Sequence, residues 1–324
     1  MSLSDSLKAG GATASQAVIS ALDGYQPFID FGAKEGLGIK TRDAEDGDML
    51  EAGINLSLST SVLSPSDKTT VPYTVVKVDN KTPQEVSEQI LLSIQESSRD
   101  SSQLNIGVIT IVGFSGVGKG TTVSSLKTSL TSLRTDLNPD LVLCWSNGNI
   151  FRSLTVLTSL YMQQNNLSNV EETISGSKSV ELKKKLMDCL KFEINPLTSD
   201  FDTHIIGFGV DYWVKDIETT VLKGDLVKGK IPTVAKSTQG EVVKFVREAV
   251  RKLTEEKNFD VIVEGRSETV DYIKSELRFE MIMEDDTVIG IRRAAQRVAG
   301  AAGGLKGGEE EVVEGLKRIV DELA

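Results

Sequence analysis

The residues with the clearest chemical meaning run from Gly113 to Thr122, Gly-Phe-Ser-Gly-Val-Gly-Lys-Gly-Thr-Thr. Glycines at 113, 116 and 118 allow a tight turn in which several backbone N–H groups converge, and such a nest holds anionic oxygens. An apolar run at 106–112 precedes the loop and a helix-like run from Val123 to Leu130 follows it. The loop therefore opens onto a helix N-terminus, whose dipole favours the same negative charge. Lys119 adds a mobile cation for the outer phosphates. The usual phosphate-loop pattern sets Ser or Thr directly after the lysine to hold magnesium. Here Gly120 intervenes, and the hydroxyls belong to Thr121 and Thr122. A glycine-rich turn with an exposed lysine is the plain alternative, and the strand and helix on either side argue against it.

Other chemistries are short of parts. Two cysteines, Cys144 and Cys189, make neither a disulfide framework nor a four-thiolate metal site, and the single histidine, His204, removes most zinc and Ser-His-Asp chemistry. Asp211, Tyr212 and Trp213 form a polar-aromatic cluster expected to pack rather than react. The elements that would position a site are legible as apolar runs at 106–112, 141–145 and 259–263, with helical stretches between them. Continuous apolar runs of that length suit buried parallel strands, and the alternation predicts an α/β layered domain. Glu264 follows the third run, where open parallel sheets place functional groups.

The first hundred residues differ. They carry Gly- and Ser-rich stretches and an acidic patch from Asp43 to Asp48 in which no chemistry is legible. A short helix is expected at Gln16–Leu22, a strand at 73–78, and a helix opened by Thr82-Pro83-Gln84-Glu85 and running to Ile94. The polar stretch 96–103 suggests a boundary, with an N-terminal extension at 1–103 and the layered domain at 104–324. The Gly303-Gly304 and Gly307-Gly308 pairs are expected to form a flexible hinge. With 36 Lys plus Arg against 47 Asp plus Glu over 324 residues, the formal charge is -11. That disfavours a broad electrostatic grip on DNA, RNA or an anionic membrane. No apolar run is long enough to span a bilayer and no secretory leader is evident, so a cytoplasmic location is the default expectation, with an organelle-targeted precursor, suggested by the sparsely charged start but lacking arginine, as the alternative.

The Gly-Lys-Gly-Thr variant resembles the phosphate loop of nucleoside monophosphate kinases. Downstream, Ser146-Asn147-Gly148-Asn149-Ile150-Phe151-Arg152 resembles the cytidylate kinase segment Asp-Ser-Gly-Ala-Ile-Tyr-Arg. Residues 227–253, Val263-Glu264-Gly265-Arg266 and the paired Arg292-Arg293 resemble later family segments in the same order. The resemblance covers about residues 104 to 318 and implies a three-layer P-loop nucleoside-monophosphate-kinase fold with a parallel sheet. It implies ATP and Mg²⁺ as cofactors and CMP, dCMP or a related monophosphate as acceptor. Gly113, Ser115, Gly116, Gly118, Lys119, Gly120, Thr121, Thr122, Arg292 and Arg293 would serve the donor. Gly148, Arg152, Arg247 and Arg266 would serve the acceptor, with Glu264 steering magnesium through water. Lys119, Arg152 and Arg266 would carry the transfer, which asks for positioning and charge stabilisation more than covalent chemistry. Arg247 also fits an ordinary solvated basic face, Arg292 and Arg293 fit surface positions on a helix, and Glu264 fits an acid capping a turn.

Three departures stand out. Ser146 and Asn147 replace the leading Asp-Ser, with Asn149 and Phe151 replacing Ala and Tyr, and Ser267 replaces the final aspartate of Asp-Gly-Arg-Asp. The family's arginine- and aspartate-rich lid has no C-terminal counterpart, and Arg318 alone remains as a lid arginine. The competing expectations are therefore a catalytically impaired kinase-fold protein with a structural or partner-binding role, its partner engaged through residues 1–103, and a kinase for another small molecule on the same scaffold.

Overall fold

A computed structural model describes residues 2–79, 81–97, 106–133, 141–176 and 179–324 of the chain. Short helices α1 (Leu3–Ala9) and α2 (Gly11–Ala21) lead into the long helix α3 (Gln26–Ser59). Strand β1 (Thr74–Lys77) and helix α4 (Pro83–Ser97) follow, close to the expected bounds. Next come β2 (Val108–Val112), α5 (Lys119–Leu133), β3 (Val142–Ser146) and α6 (Asn147–Gln164). After α7 (Val170–Ser175) and α8 (Ser179–Asp188), strands β4 (Leu190–Ile194), β5 (Phe201–Gly207) and β6 (Val210–Trp213) form a small antiparallel sheet. The chain continues through α9 (Val214–Ile217), α10 (Ile231–Arg251), β7 (Asp260–Gly265), α11 (Ser267–Val270) and β8 (Leu277–Ile282). It ends with α12 (Asp286–Ala301) and α13 (Glu309–Leu323).

The main sheet has five parallel strands in the order β1-β8-β2-β7-β3. The central strands β2 and β7 are rich in buried β-branched residues because helices cover both faces there, whereas edge strand β1 buries only Val76. On one face Ile109 and Ile111 pack with Ile90 of α4 and Leu126 and Leu130 of α5. On the other, Val261 and Val263 pack with Leu154 and Leu157 of α6 and Val242 and Val246 of α10. All five carboxyl ends point to one edge, with β2 central.

Residues N-terminal to the expected boundary share these layers. The β1 strand is a sheet edge, registered from Thr74 opposite Phe279 to Lys77 opposite Ile282. Just before it, Tyr73 donates to Asp271 at 2.7 Å and lies under the guanidinium of buried Arg278, which pairs with Asp271 at 2.6 Å. Burial of the phenol and its bond to Asp271 raise the Tyr73 pKa well above its usual range. Helix α3 crosses α10 and α12, and glycines permit both close approaches. A Cβ on Gly53 would meet the Lys236 carbonyl at 2.6 Å, and one on Gly290 would clash with the Gly32 carbonyl. The boundary expected at residue 103 falls outside the described residues. Among the described residues no helix is long and apolar enough to cross a membrane.

Candidate functional site

The site gathers at the carboxyl edge of the main sheet, where the segments after β2, β3 and β7 meet. The loop after β2 needs its glycines: Gly113, Gly116 and Gly118 have φ of 148°, 86° and 95°, in the region L side chains avoid. At Gly113 a Cβ would also stand 2.6 Å from the Met281 carbonyl. The loop delivers Lys119 to the first turn of α5, where its Nζ donates to the carbonyls of Gly113 (2.5 Å) and Phe114 (2.9 Å). Burial lowers the Lys119 pKa to about 8, against the pull of the Glu264 carboxylate. A cation desolvated in this way gains from a phosphate that replaces its carbonyl partners.

Two cavities flank the loop. The first, about 410 Å³, is lined by polar Lys119, Asn147, Arg152, Glu264 and Arg266 and by Gly148. Met49, Leu50, Phe151, Ile231, Pro232 and Ala235 supply its apolar lining. That size and polarity suit a small phosphorylated ligand with a flat apolar part. Gly148 makes room for Arg152, since a Cβ there would stand 2.8 Å from its Nη1. Burial lowers the Arg152 pKa, opposed by the Glu264 and Asp46 carboxylates. Buried Asn147 accepts from the Trp145 indole at 3.0 Å through Oδ1, while among the described residues its buried Nδ2 has no partner.

The second cavity, about 460 Å³, is lined by Arg42, Arg292 and Arg293 together with Ser115 and Gly116 of the loop. Among the described residues none of these three arginines lies within ion-pair distance of a carboxylate. The two cavities share one wall, made of Asp46, Ser115 and Arg266. There Asp43 Oδ1 accepts the Ser115 N–H at 2.8 Å and stands 2.9 Å from Arg266 Nη2. Asp46 Oδ2 is 3.0 Å from the same nitrogen, and Arg266 Nη1 donates to the Asp43 carbonyl at 3.0 Å.

The structure thus brings together Gly113, Ser115, Gly116, Gly118, Lys119, Gly148, Arg152, Glu264, Arg266, Arg292 and Arg293. Gly120 and Thr121 line an adjoining cleft with Arg152 and Glu264. Three expectations change. Thr122 is buried and its N–H closes the first turn of α5 on the Gly118 carbonyl at 3.0 Å, so neither its hydroxyl nor its amide cradles phosphate. Arg247 pairs with Asp67 at 2.8 Å and lines a different groove. Arg266 is already committed to α3. Arg318, the remaining lid arginine, is exposed on α13 and lines neither cavity. His204 is held between Glu193 (2.7 Å) and Asp211 (2.6 Å) and stacks on Trp213 at 4.0 Å, a packing role on the small sheet.

Glu264, the expected magnesium residue, lines this cleft together with Thr121, whose hydroxyl donates to the Gly118 carbonyl at 2.8 Å. One carboxylate beside a phosphate site suits an ion that keeps most of its waters. Among the described residues no group of three or more His, Cys, Asp or Glu forms a metal cage.

Sequence reasoning missed Arg42, Asp43, Asp46, Met49 and Leu50 of α3, and the orphan amide of Asn147. The acidic patch 43–48 was the available signal, without the partner that gives it meaning. Comparison of the chain with protein-family models, with curated proteins and with solved structures returned no match.

Proposed function

We propose that the protein is a P-loop nucleotide-binding phosphotransferase of the nucleoside monophosphate kinase type, with Mg-ATP as donor and CMP, dCMP or a related monophosphate as acceptor. One observation carries this reading: a loop whose three glycines take left-handed φ leads from the central strand into α5 and sets Lys119 at its mouth. Such a turn directly after a buried strand, with a helix N-terminus and a lysine behind it, is the geometry a phosphate site uses. The donor phosphates would lie on the loop amides, Lys119, Arg292 and Arg293. The acceptor would occupy the cavity of Asn147, Gly148 and Arg152, its phosphate on Arg152 and its base against the apolar lining. An acceptor phosphate oxygen attacks the γ-phosphorus, the new P–O bond forms, and the bond to the β,γ-bridging oxygen breaks, leaving ADP with the electron pair. Arginines on both sides neutralise the charge that spreads over the transferred group. Bound magnesium would supply further neutralisation of the donor phosphates, steered by Glu264.

The experiment is to incubate the purified chain with Mg-ATP and a panel of monophosphates and follow ADP, for wild type and Lys119→Ala. Acceptor-dependent ADP that disappears in the variant is the expected result. A specific observation favours a second reading, a kinase-fold protein that binds partners without turnover: Asp43 already occupies the Ser115 amide. ATP binding without ADP on any acceptor would select it.

A further inference from the structure

Helix α3 occupies two groups that a phosphate would use. The Ser115 N–H donates to Asp43 Oδ1 at 2.8 Å, and Arg266 Nη2 lies 2.9 Å from Asp43 Oδ1 and 3.0 Å from Asp46 Oδ2. A carboxylate presents to an amide and a guanidinium the same paired anionic oxygens that a phosphate presents. We propose that Asp43 and Asp46 are built-in stand-ins for phosphate oxygens, and that a phosphorylated ligand displaces them from the Ser115 amide and Arg266. The proposal rests on the nucleotide reading given above.

Position supports it. The Asp43–Asp46–Arg266–Ser115 cluster is the wall between the two cavities, one lined by Lys119, Asn147 and Arg152 and the other by Arg42, Arg292 and Arg293. Displacing the carboxylates joins donor side to acceptor side at the point where a phosphoryl group would pass. The build of α3 supports it as well. Close glycine contacts anchor the helix at Gly32 on α12 and at Gly53 on α10. Between these anchors the span over the loop carries Gly38 and Gly47, poor helix formers in a helix interior. Burial and the nearby Asp43 and Glu45 carboxylates raise the pKa of half-exposed Asp46 against the pull of Arg266. The arginines freed or exposed by the exchange have phosphate as their natural counter-ion.

The test is calorimetric titration of the full chain with Mg-ATP, comparing wild type with Asp43→Asn/Asp46→Asn. Asparagine keeps the side-chain size and removes the competing charge. Affinity at least tenfold tighter in the double variant is expected, while Asp48→Asn, on the same helix but exposed and outside both cavities, leaves it within twofold. A merely structural pair would lose affinity on substitution instead of gaining it. If wild type binds and the double variant binds equally or more weakly, displacement is overturned and the nucleotide reading stands. If neither chain binds Mg-ATP or inorganic pyrophosphate, both fall. Should the double variant not fold, hydrogen exchange of wild type decides. Mg-ATP should speed exchange of the 40–50 amides, and unchanged or slower exchange overturns the proposal.

Discussion

The glycine loop after β2 and the helix that lies over it are held in place by opposite means. The loop is specified by its own residues. Three glycines take φ values that other residues avoid, and the Lys119 ammonium closes onto carbonyls five and six residues back along the chain. Helix α3 is specified by what it touches, through glycine contacts to α10 and α12 and carboxylates on a loop amide and an arginine more than seventy residues away. Local specification makes a rigid cradle. Tertiary specification makes a cover whose hold depends on interactions that a competing anion can replace.

A single type of substitution breaks this comparison open. Gly113→Ala forces a side chain into a left-handed conformation and against the Met281 carbonyl, at a cost of about 1–3 kcal/mol for the backbone alone. Gly38→Ala on α3 meets nothing within 4 Å and should stabilise by about 0.5–1 kcal/mol, the helix-propensity gain. Chemical denaturation of both variants checks the opposite signs, and equal effects would erase the distinction between the two regions.

Arginines on the two sides of the molecule sharpen it. Arg152→Ala removes a guanidinium from the cavity and should weaken monophosphate binding about tenfold or more, the worth of one charge-assisted hydrogen bond. Arg247→Ala breaks a half-exposed pair with Asp67 and should shift stability by less than about 1 kcal/mol. It should leave nucleotide affinity unchanged, as calorimetry on the two variants would show.

The loop's charge gives a pH signature. With its pKa lowered to about 8 by burial, Lys119 is charged below that pH and loses its proton as the pH rises above it. Mg-ATP affinity should therefore hold below pH 8 and decline above it by up to about tenfold per pH unit. Lys119→Arg should flatten the decline, because a guanidinium stays protonated throughout.

The smallest effect lies away from both regions, on the small sheet. Burial opposes protonation of His204, but its bonds to Asp211 and Glu193 outweigh burial and raise its pKa above the usual 6.5. A raised folded value gives stabilisation that is fully present below pH 6.5 and is lost as the pH rises through the higher folded value. Thermal melts of wild type across that window should show a slight decline that His204→Gln abolishes.

Much of the fold was legible. The runs at 106–112, 141–145 and 259–263 became β2, β3 and β7, because buried parallel strands advertise themselves by continuous apolar residues, and the alternating run at 73–78 became β1. The expectation of an appended unit before residue 104 gave no sign that β1 would take the edge beside β8, since edge pairing is settled between strands two hundred residues apart. Glu264 and Arg152 were legible through their place after an apolar run or in a quoted motif. Thr122 was misjudged because the helix begins one turn earlier than the periodicity suggested and buries it.

By itself the sequence determined the cradle. Gly113, Gly116, Gly118 and Lys119 act within one turn of chain, and backbone sterics at those positions are the same in any fold. Only the tertiary structure decided what lies on that cradle. Asp43 and Asp46 are two acids among many in the sequence. They became partners of Ser115 and Arg266 because glycine contacts at Gly32 and Gly53 bring α3 close enough across the sheet edge for charges distant in sequence to meet.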